Sequence, residues 1–375
     1  MQTIPIPHVD PLPLPGPVWL FTALLLAVFT LHVAAMNSAL GGGLWALWNY
    51  LRGRHGKHAY SRRLANELAQ MLPSFLAFTI TLGVAALLFV QVLFGNFLYT
   101  SSILIGALWL MVIPLVIVAY YGYYYFFYTA EKGKGISGCI LSISVCILLG
   151  IAFIFVNNMT LMMRPDRWLE MYRAHPNGWN LNLGDASVVP RYLHIVNGSL
   201  VLFSAILAHL GMRKMKADAA YGRWVAQRAA LVFAICTGLQ FLFGMWLLLA
   251  IPREVAMALL RDPLTGAVFG LALISVIAAM LLILLGSLAE RPGPMVHAGF
   301  GLSLLTLFLM VCLRHLLRLE YLRPYANLNA LNIHPQTGVI ALFLVLFVGG
   351  LATVGYMLRL VARSARPSSD VAVRR

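Results

Sequence analysis

Apolar runs separated by short polar stretches fill the chain almost from end to end. A helix crosses a hydrocarbon core of about 30 Å with about 20 apolar residues. Nine runs meet that length: 18–48, 72–94, 101–128, 136–160, 190–212, 226–251, 265–288, 294–318 and 337–362. They predict an all-α integral membrane protein with nine transmembrane helices, organised as one helical domain over 1–375. The opening "MQTIPIPHVDPLPLPGP" (1–17) is too rich in proline for a helix and predicts an extended lead-in. It lacks the basic start of a cleaved signal peptide. Residues 364–375 read as a flexible tail.

Composition agrees with the pattern. The chain is 61% hydrophobic and 10% charged, with a mean hydropathy of +0.84, whereas a soluble domain carries about 25% charged residues. The net charge of +15 would suit a nucleic-acid partner if it lay on one face. Instead the basic residues occupy short loops, where they report topology. Alternate loops divide the 27 Lys and Arg residues into 18 on one side and 9 on the other. The richer side faces the cytoplasm, so the N-terminus is outside and the C-terminus cytoplasmic. The longest outer segment, 164–190, holds Trp168 and Trp179, which suit an interfacial flap.

The polar residues within the runs narrow the chemistry. All 12 acidic residues fall in loops or at span ends, which counts against an ion-coupled transporter. Cys139, Cys146, Cys236 and Cys312 lie in apolar runs without zinc spacing, and there is no C-x-x-C-H for covalent c-type haem. The histidines stand out. His32 sits inside the first span, in "FTLHVAAMNSALGGG" (29–43); His194 opens the fifth, and His315 closes the eighth, in "LMVCLRHLLRLEY" (309–321). The charge count puts all three in the outer half. Neutral imidazole is the common axial ligand of haem iron; hydrogen bonding between helices is the alternative. His209 and His297, at the inner boundary, read as interfacial residues.

Other residues fit either reading. Arg164, Arg191, Arg314, Arg318 and Arg323 cluster near the outer span ends. There they pair with haem propionates bidentately or snorkel to lipid headgroups. Met36, one turn beyond His32, packs on a porphyrin, ligates weakly or fills core. Gly41, Gly42 and Gly43 allow close approach of a macrocycle or of another helix.

Several stretches resemble subunit I of the cytochrome bd-type quinol oxidases. "FTITLGVAALLFVQVLFGNFLY" (78–99) resembles the family's second helix, and "IAFIFVNNMTLMMRP" (151–165) the end of its fourth. "VVPRYLHIVNGSLVLFSAILAH" (188–209) resembles its fifth, whose histidine ligates the low-spin b haem, here His194; "EYLRPY" (320–325) is similar to the close of its eighth. His32 matches the first-helix ligand of a high-spin haem. The departures are specific. The family's second-helix glutamate falls on Gln91 and its eighth-helix glutamate ligand on Cys312, with His315 one turn further out. Its low-spin methionine ligand falls near Leu271, and its quinol loop is reduced to "PREVAMALLRDP" (252–263). The resemblance is therefore to a quinol-independent branch. It implies one to three non-covalent b haems, held by His32, His194 and His315 with Met36, Arg191, Arg314 and Arg318 around them. It also implies a bacterial inner membrane, a second membrane subunit of related fold, and a cytochrome c or multihaem partner at the outer face. The expected role is electron transfer between membrane haems and that partner, with terminal oxidase activity a further implication of the family. A haem-free structural or anchoring subunit of a respiratory complex is the competing expectation.

Overall fold

The computed structural model describes residues 13–54, 58–133, 135–289 and 293–364. Most of the lead-in (1–12), the tail beyond 364 and the basic loop residues Lys57, Lys134 and Arg291 lie outside them. The described chain forms eleven α-helices: α1 (Val18–Gly53), α2 (Ala59–Leu104), α3 (Gly106–Thr129), α4 (Gly135–Leu161), α5 (Trp168–Ala174), α6 (Val188–Lys214), α7 (Ala219–Ala250), α8 (Arg253–Arg261), α9 (Pro263–Leu288), α10 (Gly293–Leu322) and α11 (Thr337–Ser364). Among the described residues nine of them, all but α5 and α8, are long and apolar enough to cross a membrane.

The expected order of spans holds, with shifted boundaries. α2 begins at Ala59 rather than near 72, because Arg62, Arg63 and Glu67 extend it past the apolar core. There Arg63 pairs with Asp218 at 2.6 Å and Lys214 with Glu67 at 3.0 Å, tying α2 to the α6–α7 turn. Residues 101–104 end α2 instead of opening the third span. α2 also breaks at Phe94 (φ −135°, ψ 30°), just before Gly95.

α1, α2 and α6 meet in the largest core cluster, around Trp45, Leu68, Leu72 and Phe203. Apolar burial drives little association between helices in lipid, so close packing and interhelical hydrogen bonds must supply it. The glycine run of α1 does the first. A side chain at Gly41 would strike the Ser199 carbonyl oxygen and come within 2.8 Å of Phe203 Cβ on α6. One at Gly43 would strike the Tyr123 hydroxyl on α3. These glycines serve helix packing, which decides between the two readings of the run. Trp45 Nε1 donates to Ser204 Oγ at 3.1 Å, and Tyr123 Oη to the Ala39 carbonyl at 2.8 Å.

The end opposite the Arg63–Asp218 pair is closed by loops. Leu14 N donates to Asn332 O, and His334 N and Gln336 N donate to Leu14 O and Pro15 O, so the end of the lead-in is clamped to the α10–α11 connection. The segment between α4 and α6 folds inward. Trp168 is buried and donates to the Leu161 carbonyl at 2.9 Å, so it anchors this segment from within rather than lying at the interface; Trp179 alone is exposed. Arg164 bridges Asp166 (2.7 Å) and the buried Asp185 (3.0 Å). Burial opposes the charge on Asp166, but the Arg164 hydrogen bonds and charge outweigh it and hold the carboxyl below the ordinary 3.8. α11 stands at the edge, touching the bundle through Phe343 against Phe89 and the lead-in through Ile340 near Gly16, with Val339, Leu342, Val345, Leu346 and Val348 among its exposed apolar side chains.

Two expectations follow. Gly41→Ala forces α1 away from α6 and costs about 1–3 kcal/mol, as overpacking does; it lowers the unfolding temperature in detergent, whereas an unchanged midpoint contradicts this packing. A carboxyl whose folded pKa is depressed contributes stability above its unfolded pKa and loses it as pH falls through the folded one. Protection of 164–187 against proteolysis is therefore constant from neutral pH down to about 4 and weakens below 3.8. Asp166 is well exposed, so the effect stays under about 1 kcal/mol. Asp166→Asn removes that part of the pH dependence; a variant with the parent's acid profile contradicts the assignment.

Candidate functional site

The chemistry-bearing side chains converge at the end of the bundle capped by the 162–187 segment. Arg191 enters from the first turn of α6, while Arg314, His315 and Arg318 line one side of α10. Arg191 (7% exposed) and Arg318 (5%) are buried, and Arg314 is half-buried. The three guanidiniums lie close enough for mutual repulsion. Among the described residues no carboxylate pairs with any of them. The nearest, Asp185, attracts Arg191 but is already engaged by Arg164 and by the Ser187 N–H and hydroxyl. Arg191 Nε and Nη2 are sealed from solvent without a hydrogen-bond partner. Arg314 stacks on Phe29 at 4.4 Å and Arg318 on Phe94 at 5.1 Å. A cation–π contact recovers only about 2 kcal/mol when desolvated, and an unpaired buried charge costs more than that.

The histidines surround this cationic group. His315, 7% exposed, packs edge-on to Phe94 at 6.1 Å. The break in α2 thus puts the Phe94 ring against both His315 and Arg318. His32 follows Phe29 by one turn and lies within electrostatic reach of Arg314. His194 follows Arg191 by one turn of α6 and feels its charge. Each histidine thus lies near part of the cationic group: His32 near Arg314, His194 near Arg191, and His315 near Arg318 and Arg314. Arg191 and Arg318 do not reach the surface as snorkelling residues would.

Neighbouring helices hold two of the rings. His32 Nδ1 donates to the Thr79 carbonyl of α2 at 3.0 Å, because a carbonyl can only accept. That fixes the tautomer and leaves Nε2 with its lone pair. A Cβ at Gly83 would stand 2.9 Å from His32 Cε1, so the ring rests on the glycine. His194 lies over Gly244 of α7, where a Cβ would stand 3.4 Å from its Cε1. His194 Nδ1 makes no hydrogen bond, while the Gln240 side chain donates to the His194 carbonyl at 3.0 Å. Nδ1 of both His194 and His315 is sealed and unpartnered. Reading the sequence missed Thr79, Gly83, Gln240 and Gly244. Only packing reveals them, since two glycines among thirty-one carry no signal of their own.

Other expected positions contribute less. Met36 is half-buried one turn beyond His32. Cys312 is a half-buried free thiol. Leu271 is 49% exposed on α9, so the position matched to a methionine ligand points away from the interior. His209 and His297 pair with each other, ring centroids 4.5 Å apart, at the far end of the bundle. Among the described residues no three metal-binding side chains of the His, Cys, Asp or Glu type form a cluster. The donor set suits a ligand that brings its own in-plane coordination and needs only axial imidazole. It also suits a ligand with carboxylates for the arginines. Haem has both properties, and the unpartnered Arg191 and imidazole nitrogens fit it.

Comparison with known proteins yields a fold. No protein-family model matches the chain, and no curated protein matches it. Among solved structures it is similar to a chain of the bd oxidase from Geobacillus thermodenitrificans, with a TM-score of 0.72 and 14% sequence identity. The match covers 93% of this chain and 99% of that one. The chain thus has a bd oxidase-like, all-helical membrane fold.

Proposed function

We propose that the chain is a b-haem-carrying membrane subunit of a bd-like respiratory electron-transfer complex. The observation that carries this reading is the trio of guanidiniums, Arg191, Arg314 and Arg318, without carboxylate partners among the described residues and beside three imidazoles. A lipid phosphate would serve the arginines and leave the imidazoles idle. A bare metal ion would serve the imidazoles and worsen the cationic repulsion. Haem b answers both, supplying reversible one-electron chemistry at its iron when bound. His194 would ligate one haem, and His32 and His315 would serve a second site. Arg191, Arg314 and Arg318 would hold the propionates, and nearby charge of this kind is one of the protein's levers on a haem's potential.

The charge count supports placing this end outside a bacterial inner membrane, and with Arg191 and Arg318 buried this side holds still fewer exposed cations. Electrons then pass to or from a cytochrome c or multihaem protein docked on the 161–190 and 319–336 segments. The outward apolar face of α11 and the fold support a second membrane subunit of related architecture. With Gln91 and Cys312 where the resembling family carries glutamates, and no acidic residue deep in a span, electron transfer is favoured over proton-coupled oxygen reduction. The short α8 connection supports the quinol-independent branch.

The pyridine haemochrome spectrum of the purified protein is expected to show b haem, and His194→Ala to remove a low-spin signal while the His32/His315 signal persists. A haem-free protein overturns the proposal in favour of an anchoring subunit, and an unchanged spectrum in His194→Ala removes that ligand assignment. Oxygen uptake with reduced cytochrome c then distinguishes an oxidase from an electron conduit.

A further inference from the structure

We infer that Gly83 and the Thr79 carbonyl form a positioning notch for His32 that fixes the face and tautomer of its imidazole, whereas the counterpart at Gly244 leaves His194 freer to tilt. The inference rests on the haem reading above. Both notches have one construction. A glycine on the neighbouring helix, Gly83 on α2 or Gly244 on α7, lies under the ring and four residues after a backbone carbonyl, that of Thr79 or Gln240. In a helix the N–H of each glycine already binds that carbonyl, so the ring must share it. Sharing is feasible only where no Cβ keeps the imidazole away.

The two notches differ in tightness. At His32 the ring is pressed to the helix: a Cβ at Gly83 would come within 2.9 Å of Cε1 and 3.1 Å of Nδ1, and the Nδ1–H···O bond to Thr79 is formed at 3.0 Å. At His194 the corresponding distances are 3.4 and 3.6 Å, ordinary contact, and the Gln240 bond is not formed. A hydrogen bond from the outer nitrogen orients a ligating imidazole and raises its basicity; losing one typically weakens metal affinity by about 10–100-fold. Gly83 is a positioning residue and touches no iron itself. Its methyl-bearing replacement must rotate the His32 ring and break its bond to Thr79, while the same replacement at Gly244 needs no movement.

The test uses the full-length protein purified in detergent, comparing Gly83→Ala, Gly244→Ala and Gly238→Ala; Gly238 has nothing within 4 Å and serves as a control. Readouts are haem per polypeptide at limiting haem, the low-temperature EPR spectrum and the midpoint potential of each haem. Gly83→Ala is expected to weaken retention of the His32 haem about tenfold or more or to shift its EPR signal and potential. The His194 low-spin signal stays in place as the internal check on folding. Gly238→Ala keeps both signals, and Gly244→Ala leaves the His32 signal in place. If Gly83→Ala leaves the His32 signal, potential and occupancy unchanged, the inference fails and the proposed function stands. Loss of both haem signals together in Gly83→Ala marks a general packing role and also overturns it. A parent protein without b haem overturns the proposed function and this inference with it.

Discussion

Three guanidiniums close together, two of them buried and none with a carboxylate partner among the described residues, set the terms for the rest of the structure. Arg191, Arg314 and Arg318 repel one another, and the aromatic faces of Phe29 and Phe94 offset only part of the cost. Unpaired charge in a low-dielectric interior is expensive, by several kcal/mol for each group. On the proposed function, the propionates of a bound haem would meet that cost. Asp185, the one carboxylate near it, is withheld by Arg164 and Ser187. That leaves Arg191 with attraction from Asp185 at a distance and no bond.

The helices around this cluster owe their spacing to small residues. The glycines of α1 let α6 and α3 approach it, which brings Arg191 and His194 on α6 near the His32 helix. The break in α2 at Phe94 turns a ring toward α10, where it contacts both His315 and Arg318. Close packing, the main source of helix association in lipid, and the geometry of the site are therefore one arrangement. Polar bonds such as Trp45 to Ser204 and Asn197 to the Cys236 carbonyl fix the rotation of the helices.

Much of this was legible in the chain itself. Nine apolar runs gave the span order, because a hydrocarbon core demands that length of uncharged helix. His32, His194 and His315 were visible as polar residues in costly positions, and their grouping followed from the alternation of spans. Arg191, Arg314 and Arg318 were visible too, but a residue at a span end reads equally as a snorkelling cation, and only burial separates the two. Trp168 looked like an interfacial anchor because sequence records its distance from the span end and not the inward fold of the segment. Helix ends moved where charged residues such as Arg62 and Glu67 continue a helix beyond the lipid. The notches at Gly83 and Gly244 were hidden entirely, since they exist only between helices distant in sequence.

The most direct measurement is a cryo-EM map of the protein purified in nanodiscs. The account predicts planar macrocycle density with strong central peaks, one beside His194 and one served by His32 and His315, and carboxylate arms reaching Arg191, Arg314 and Arg318. A map in which those arginines meet only lipid, water or protein carboxylates, with no macrocycle beside the histidines, would contradict it.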